Sequence, residues 1–505
     1  MVRATEQLAA SPDRPHFHRY RALMILFGLY HADAPEDGGT VYIRSGLAPD
    51  NPRADRYYAQ ARELYVQGIE QKLAAALDAR GLRFANGLDD YRLRIPQPLA
   101  NTTLCVKTGL RIELDSCVGN DHVLVAQDIG ATIIHVSILL RDAESGRHDY
   151  PIRVHVRRLP EPVLRLGSID KAVPPTDITS VTEVFSLAPV GAGEWIRLSK
   201  AAVVAAGIVP PSLRGRPDAP PLAAFLERLG GGLEIVTDVR GVPVGSGTGT
   251  SSAIAAALVA ALVKFTGQSR APLTAMPDDE RMLVIARVLL VEQLIGALGG
   301  WQDPCVIFPG IKLLTAAPGD FLPAYRPLEV SPAARAELVR RLQLTDGCYR
   351  QPSQAAAWQF TGLWVMRLAS VYEARMRTRR LVQEQIANLE GGTIERMGPV
   401  ESADWLNRCA ISPKATNPYI ERVVELVRQA LAPARVDFDA SGARGGAGGC
   451  FWIDPDDVPA ADFADAFDRA CRTAMDECRG RIRFEGEPHL YDYAINDRGM
   501  EIGLE

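Results

Sequence analysis

No apolar run in this 505-residue chain is long enough to cross a bilayer. The longest, Ala253 to Val263, spans eleven residues, against about 20 for a spanning helix. The first residues lack the charged-then-apolar layout of a secretion signal. No C-x-x-C pair occurs among the eight cysteines. That argues against a zinc site and for reduced thiols, as in a cytoplasmic protein. The eight histidines are dispersed, and the pair His16 and His18 has no partner cluster. Charge of neither sign dominates. A net charge of -5 gives no reason to expect nucleic acid or a membrane as partner. Internal repeats and low-complexity tracts are also missing.

What is present is ordinary globular composition, 47% hydrophobic and 23% charged, in a chain long enough for two or three domains. Residues 1–98 read as mostly helical. Ala61, Tyr65, Ile69, Leu73 and Leu77 stand four apart up to Gly81, a C-terminal stop, and Pro96 and Pro98 mark a boundary. From about 100 to 170 the texture turns to Val/Ile/Leu-rich strands. The region 330–430 is helix-rich. Residues 436–455 read as two strands around a glycine loop, followed by a helix at about 459–478 and a terminal strand or hairpin. Strands and helices are partly segregated, so the expected class is α+β.

The most informative segment is GVPVGSGTGTSSAIAAALVAALVKF, Gly241 to Phe265. LEIVTDV before it alternates like a strand, and the alanine-rich stretch after it reads as a helix. Strand, flexible loop and helix N-terminus together form an anion cradle. Glycines 245, 247 and 249 permit close backbone approach, and the free N–H groups and dipole of the helix face the charge. The expected phosphate contacts are Gly245, Ser246, Gly247, Thr248, Gly249, Thr250, Ser251 and Ser252. No Gly-Lys-Ser/Thr ends the loop, so it is not a Walker A loop. Its G-x-G-x-G spacing is not a dinucleotide fingerprint.

A second feature is Glu292, set in a helix read over 280–300 that is otherwise almost wholly apolar from Met282 to Leu298. A carboxylate there costs several kcal/mol unless paired or metal-bound. Asp303 follows eleven residues later in GGWQDP. Two carboxylates at this spacing can converge, one on a magnesium ion and the other on a substrate hydroxyl. Structural roles stay open as well: Glu292 paired with a buried arginine, Asp303 capping a turn.

The ordered run GGGLEIVTDV, PVGSGTGTSS, VEQLIGALGGWQD and PGIKLL resembles the GHMP small-molecule kinases, and within them the fucokinase-like branch, which includes the D-glycero-D-manno-heptose 7-phosphate kinases. RRLPEPVLRLGSID, KATNPYIERVVELVRQA and GARGGAGGCFWI extend the likeness over about residues 105–455. The resemblance implies a two-lobed fold, with residues 1–98 an additional helical segment, 99–325 the N-terminal lobe and 326–505 the C-terminal lobe. It implies ATP and Mg2+, a sugar or sugar-phosphate acceptor phosphorylated at its anomeric hydroxyl, and no further partner beyond a homodimer left open. By the same resemblance Ser251 and Glu292 bind the metal, and Asp303 is catalytic beside Arg111 of GLRIEL. Asp121, Gly300, Trp301, Gln302, Asn417 and the third-loop residues Gly446, Ala447 and Gly448 lie toward substrate. The first motif departs most, with Ser116, Cys117 and Val118 where these kinases carry a glycine pair and tryptophan. Pro304 stands where glutamine is usual. The rival readings are a kinase of a polyol or other non-sugar, and a retired scaffold that keeps only the fold.

Overall fold

The computed structural model describes residues 2–13, 16–31, 52–79, 93–116, 125–171, 173–187, 196–242, 247–296, 299–349, 363–364, 368–412, 415–440, 448–480, 482 and 484–505. Its elements are mixed helix and sheet, as the α+β reading expected. The first sheet runs, edge to edge, through Glu501–Leu504, Leu104–Thr108, Ile152–Leu159, Gly232–Val239, Leu164–Ser168 and Thr176–Ile178. All neighbours are antiparallel except Leu164–Ser168 beside Gly232–Val239. Alternation sends Leu104, Val106, Val154 and Val156, all fully buried, to one face. The helix Thr250–Phe265 lies on that face, where the Thr108 hydroxyl donates to the Ala253 carbonyl at 3.3 Å. Its Ala/Leu/Val composition suits burial on nearly every side.

A second sheet places Ala131–Arg141 between Ile311–Ala316 and Tyr493–Ile495, with Leu110–Ser116 and His148–Asp149 also paired to it. A third, Asp437–Ala440, Gly448–Trp452, Leu342–Asp346 and His489–Leu490, carries a separate core. There Phe438 packs on Phe451, which in turn meets Phe463 and Phe467 of the helix Ala460–Glu477. Although a boundary at 326 assigns residues 493–504 to the second lobe, Tyr493–Ile495 and Glu501–Leu504 join the first two sheets.

The helix Asp278–Ile295 opens with Asp278, Asp279 and Glu280, which complement its dipole. It ends at Gly296, whose φ of +76° sits in the left-handed region, short of the end read at 300. The N-terminal helices Val2–Ala10, His16–His31 and Pro52–Asp78 are as helical as expected. Ala61, Ile69, Leu73 and Leu77 are buried in the same core as the helix Thr250–Phe265. Pro52–Asp78 packs against Asp278–Ile295, and Arg214 holds Glu63 at 2.8 Å. Among the described residues no helix is long and apolar enough to cross a membrane.

Candidate active site

The loop and the two acids meet. Gly249 caps the helix Thr250–Phe265 at φ +73°. A Cβ built on it would lie 3.2 Å from Asp303 Cγ and 3.3 Å from both Cγ and Nε of Arg111. Only glycine combines that backbone angle with so close an approach. Gly247, φ +81°, shares the left-handed conformation. Thr248 and Thr250 are buried, with their hydroxyls 3.1 Å apart. One turn on, the Ser252 hydroxyl donates to Glu292 Oε1. Ser251, about 100° around the helix, is exposed. The serine facing the buried acid is thus Ser252, one residue beyond the one assigned to the metal by resemblance.

Glu292 is 3% exposed, and its Oε2 has no hydrogen-bond partner. Burial pushes its pKa up to about 8. The Ser252 hydrogen bond opposes the rise, and the nearby Asp303 charge adds to it. No buried arginine pairs with it among the described residues. Gly299 lies directly against its carboxylate, where a Cβ would fall 1.6 Å from Oε2. A pH-dependent stability follows. Between its ordinary value of 4.5 and about 8, the unfolded chain loses this proton before the folded chain does, so the Glu292 contribution to stability falls as pH rises. Glu292→Gln is expected to melt with a shallower decline over that window than wild type. Parallel curves from thermal melts at pH 5 to 8 would contradict the buried neutral acid.

Asp303 begins the short turn Pro304–Ile307 but makes no capping bond with its side chain. Its carboxylate accepts instead from Arg111 Nε. Arg111 Nη2 lies 3.3 Å from Glu113, two residues along the same strand face. Burial alone would lower the Arg111 pKa, and the charges of Asp303 and Glu113 outweigh it. Arg111 Nη1, buried, has no hydrogen-bond partner. The side chain of Asp303 is 14% exposed, which leaves its carboxylate accessible.

The turn carrying Asp303 rests on a polar layer of the second sheet that sequence reasoning missed. Ser137 stands opposite Arg111, and His135 opposite both Glu113 and Lys312. Ser137 Oγ lies 3.1 Å from the Val306 carbonyl and 2.8 Å from that of Phe308. The Lys312 ammonium donates to Ser137 Oγ at 2.6 Å and to the carbonyls of Phe308 and Gly310 at 3.1 and 3.2 Å. Burial pulls Lys312 down to about 7. Burial, then the neighbouring Lys312 and Arg111 charges, keeps His135 neutral. Spacing hinted at this layer only through the alternation of Arg111 with Glu113.

A second missed group comes from the C-terminal half. Arg408 of the helix Met397–Ile411 donates to Asp404 at 3.0 Å and to the Ala440 carbonyl at 3.1 Å, and faces Asp439 at 3.4 Å. Burial opposes its charge, but Asp439, Asp404 and Glu113 hold its pKa well above the usual value. Asp439 is pushed up to about 7, by burial first. Arg408 thereby joins the strand before the third glycine loop to the field of the Arg111–Glu113 pair.

The remaining expected residues divide. Gly300, Trp301 and Gln302 are buried. Trp301 packs into the main core, while both amide atoms of Gln302 lack a hydrogen-bond partner. Asn417 caps the helix Pro418–Ala430, accepting from the Ile420 amide at 3.0 Å. Gly448 opens the strand Gly448–Trp452 opposite Asp346. Asp121, Gly245, Ser246, Gly446 and Ala447 lie outside the described residues.

Comparison with known proteins places this geometry in a family context. Residues 221–310, which include the loop, Glu292 and Asp303, match the GHMP kinases N terminal domain. The chain is similar to a bifunctional fucokinase/GDP-fucose pyrophosphorylase of Arabidopsis thaliana, 29% identical over 41% of this chain and 18% of that protein. It is also similar to an L-fucokinase/L-fucose-1-P guanylyltransferase of Bacteroides fragilis, 31% identical over 34% of this chain and 16% of that protein. The matches thus cover less than a fifth of either relative. Among solved structures, a Lactococcus lactis galactokinase complexed with galactose superposes with a TM-score of 0.52 at 12% identity, covering 87% of this chain and 99% of that one. That likeness concerns the fold.

Proposed function

We propose that this chain, with its GHMP-kinase N-terminal domain at residues 221–310 and its similarity to fucokinases, is an ATP-dependent sugar kinase. The observation that carries the reading is the meeting of Arg111 and Asp303 against Gly249, with Glu292 held by Ser252 one turn on and within the field of Asp303. The buried, unpartnered atoms Arg111 Nη1 and Glu292 Oε2 within that group suit a bound anion and a bound cation. Such orphans are costly unless a ligand satisfies them. We assign residues 99–325, joined by the returning strands Tyr493–Ile495 and Glu501–Leu504, to one kinase lobe, the rest of 326–505 to the other, and residues 1–98 to an added helical layer.

Mg2+-ATP supplies the transferable phosphoryl group and part of the charge that neutralises it. Glu292 and the Ser252 hydroxyl would hold the ion, an all-oxygen donor set suited to magnesium, and Glu292 must release its proton to do so. The N–H groups of the loop through Ser252, with Ser251 at the exposed side, would hold phosphate oxygens. Arg111, which donates to its carboxylate, keeps Asp303 aimed, so that Asp303 would accept the proton of the attacking sugar hydroxyl. Gln302, adjacent to Asp303, has free amide atoms for sugar hydroxyls. We place the acceptor at the anomeric hydroxyl of fucose, a heptose phosphate or a related sugar. The test is a panel of sugars, sugar phosphates and polyols with Mg2+-ATP, read by ADP release and phosphorus NMR of the product. The expected result is a sugar carrying phosphate on its anomeric oxygen. Turnover on polyols alone, or on nothing, would overturn the reading.

A further inference from the structure

On the face of the first sheet away from the phosphate-loop helix, three donors of different chemistry converge. Thr108 touches the helix through Ala253, so alternation sends Cys105 and Lys107 to the opposite face. His155 stands directly across from Cys105 on the neighbouring strand, and Gly503 directly across on the other side. Glu505, two residues beyond Gly503, is held by paired backbone hydrogen bonds with Thr103 of 2.9 and 3.1 Å. The Cys105 thiol, a His155 ring nitrogen and a Glu505 carboxylate oxygen all lie within 4.8 Å of one another. His155 Nδ1 is 3.0 Å from Glu505 Oε2. A Cβ at Gly503 would meet nothing within 4 Å, so there is open space beside the thiol.

We propose that Cys105, His155 and Glu505 form a binding site for a zinc-type divalent cation, apart from the kinase centre. Thiolate, imidazole and carboxylate are the ligands such an ion takes at about 2.0–2.3 Å, and the soft thiolate disfavours magnesium and calcium. Tetrahedral geometry with those bond lengths sets ligand atoms about 3.3–3.8 Å apart, so the present spacing closes with small side-chain rotations. Water fills the fourth position. Two anionic ligands neutralise a dication. Burial, then Glu505, pushes the Cys105 thiol up to about 12, while Lys107 and Arg153 act the other way, so binding displaces the thiol proton into solvent. The bound ion joins three strands, including the edge strand Glu501–Leu504, and therefore stabilises the sheet. C-x-x-C spacing could not reveal this site, because its ligands come from residues 105, 155 and 505 and meet only through strand register.

The test uses the full chain stripped with a chelator and titrated with Co2+, which reports thiolate ligation by a charge-transfer absorption. One cobalt per chain is expected, with that absorption, proton release and a rise in melting temperature; Zn2+ then displaces the cobalt and abolishes the absorption, while the proton stays released and the melting temperature stays raised. Cys105→Ser should lose the absorption while keeping kinase activity. His155→Ala, at a half-buried position, should weaken binding at least about tenfold, the loss that even an outer-shell partner costs. Absence of saturable one-to-one binding, or an absorption unchanged in Cys105→Ser, overturns the proposal.

Discussion

Replacing Asp303 with alanine is expected to lower kcat at least about a hundredfold, the scale of a lost general base, while ATP affinity stays near that of wild type. The split follows from position. Asp303 stands at the head of its turn with its side chain spent on Arg111 rather than on a cap. It is the accessible member of the cluster, whereas Glu292 is enclosed beneath the helix N-terminus. On the proposed assignment, loss of its carboxylate removes the proton acceptor and leaves the loop, Ser252 and Glu292 to bind nucleotide. Steady-state kinetics with a nucleotide-binding titration separates the two effects. Turnover within a few-fold of wild type would remove Asp303 from the chemistry, and a matching loss of ATP binding would make its role structural.

Arg111→Met should damage both stability and rate, and the two can be told apart. Arg111 is 2% exposed and lies between Asp303 and Glu113, itself 5% exposed. Removing the cation leaves buried carboxylates without their partner, a change that costs about 3–5 kcal/mol. It also removes a preorganised charge beside the reacting groups, worth about 10²–10³ in kcat. Adding Glu113→Gln relieves the uncompensated charge, so the double variant should regain part of the melting temperature but none of the turnover. Recovery of both together would mean that Arg111 acts only as a structural ion-pair partner.

What was legible in the sequence was local. Gly232–Val239, Thr250–Phe265 and most of Asp278–Ile295 follow from periodicity, composition and end signals, and the convergence of Glu292 with Asp303 follows from one acid within an apolar helix. The helix end was misread because Gly296 and Gly299 do different work. Gly296 takes the left-handed stop, while Gly299 makes room for the Glu292 carboxylate. Neither role shows in a row of glycines. The choice of Ser252 over Ser251 as the partner of Glu292 depends on the phase of one helix against another, which spacing does not encode. Arg408 and Asp439 reach the site from the C-terminal half, and Lys312 and His135 reach it through strand register. Such groups are invisible until the sheets are assembled.

Whether these residues transfer phosphate is tested most directly by following the γ-phosphate itself. With γ-labelled ATP, magnesium and the best sugar of the panel, wild type is expected to place the label on the sugar in step with ADP formation, and Asp303→Ala to place almost none. Label that appears only as free phosphate, or reaches the sugar equally with Asp303→Ala, would contradict the proposed transfer.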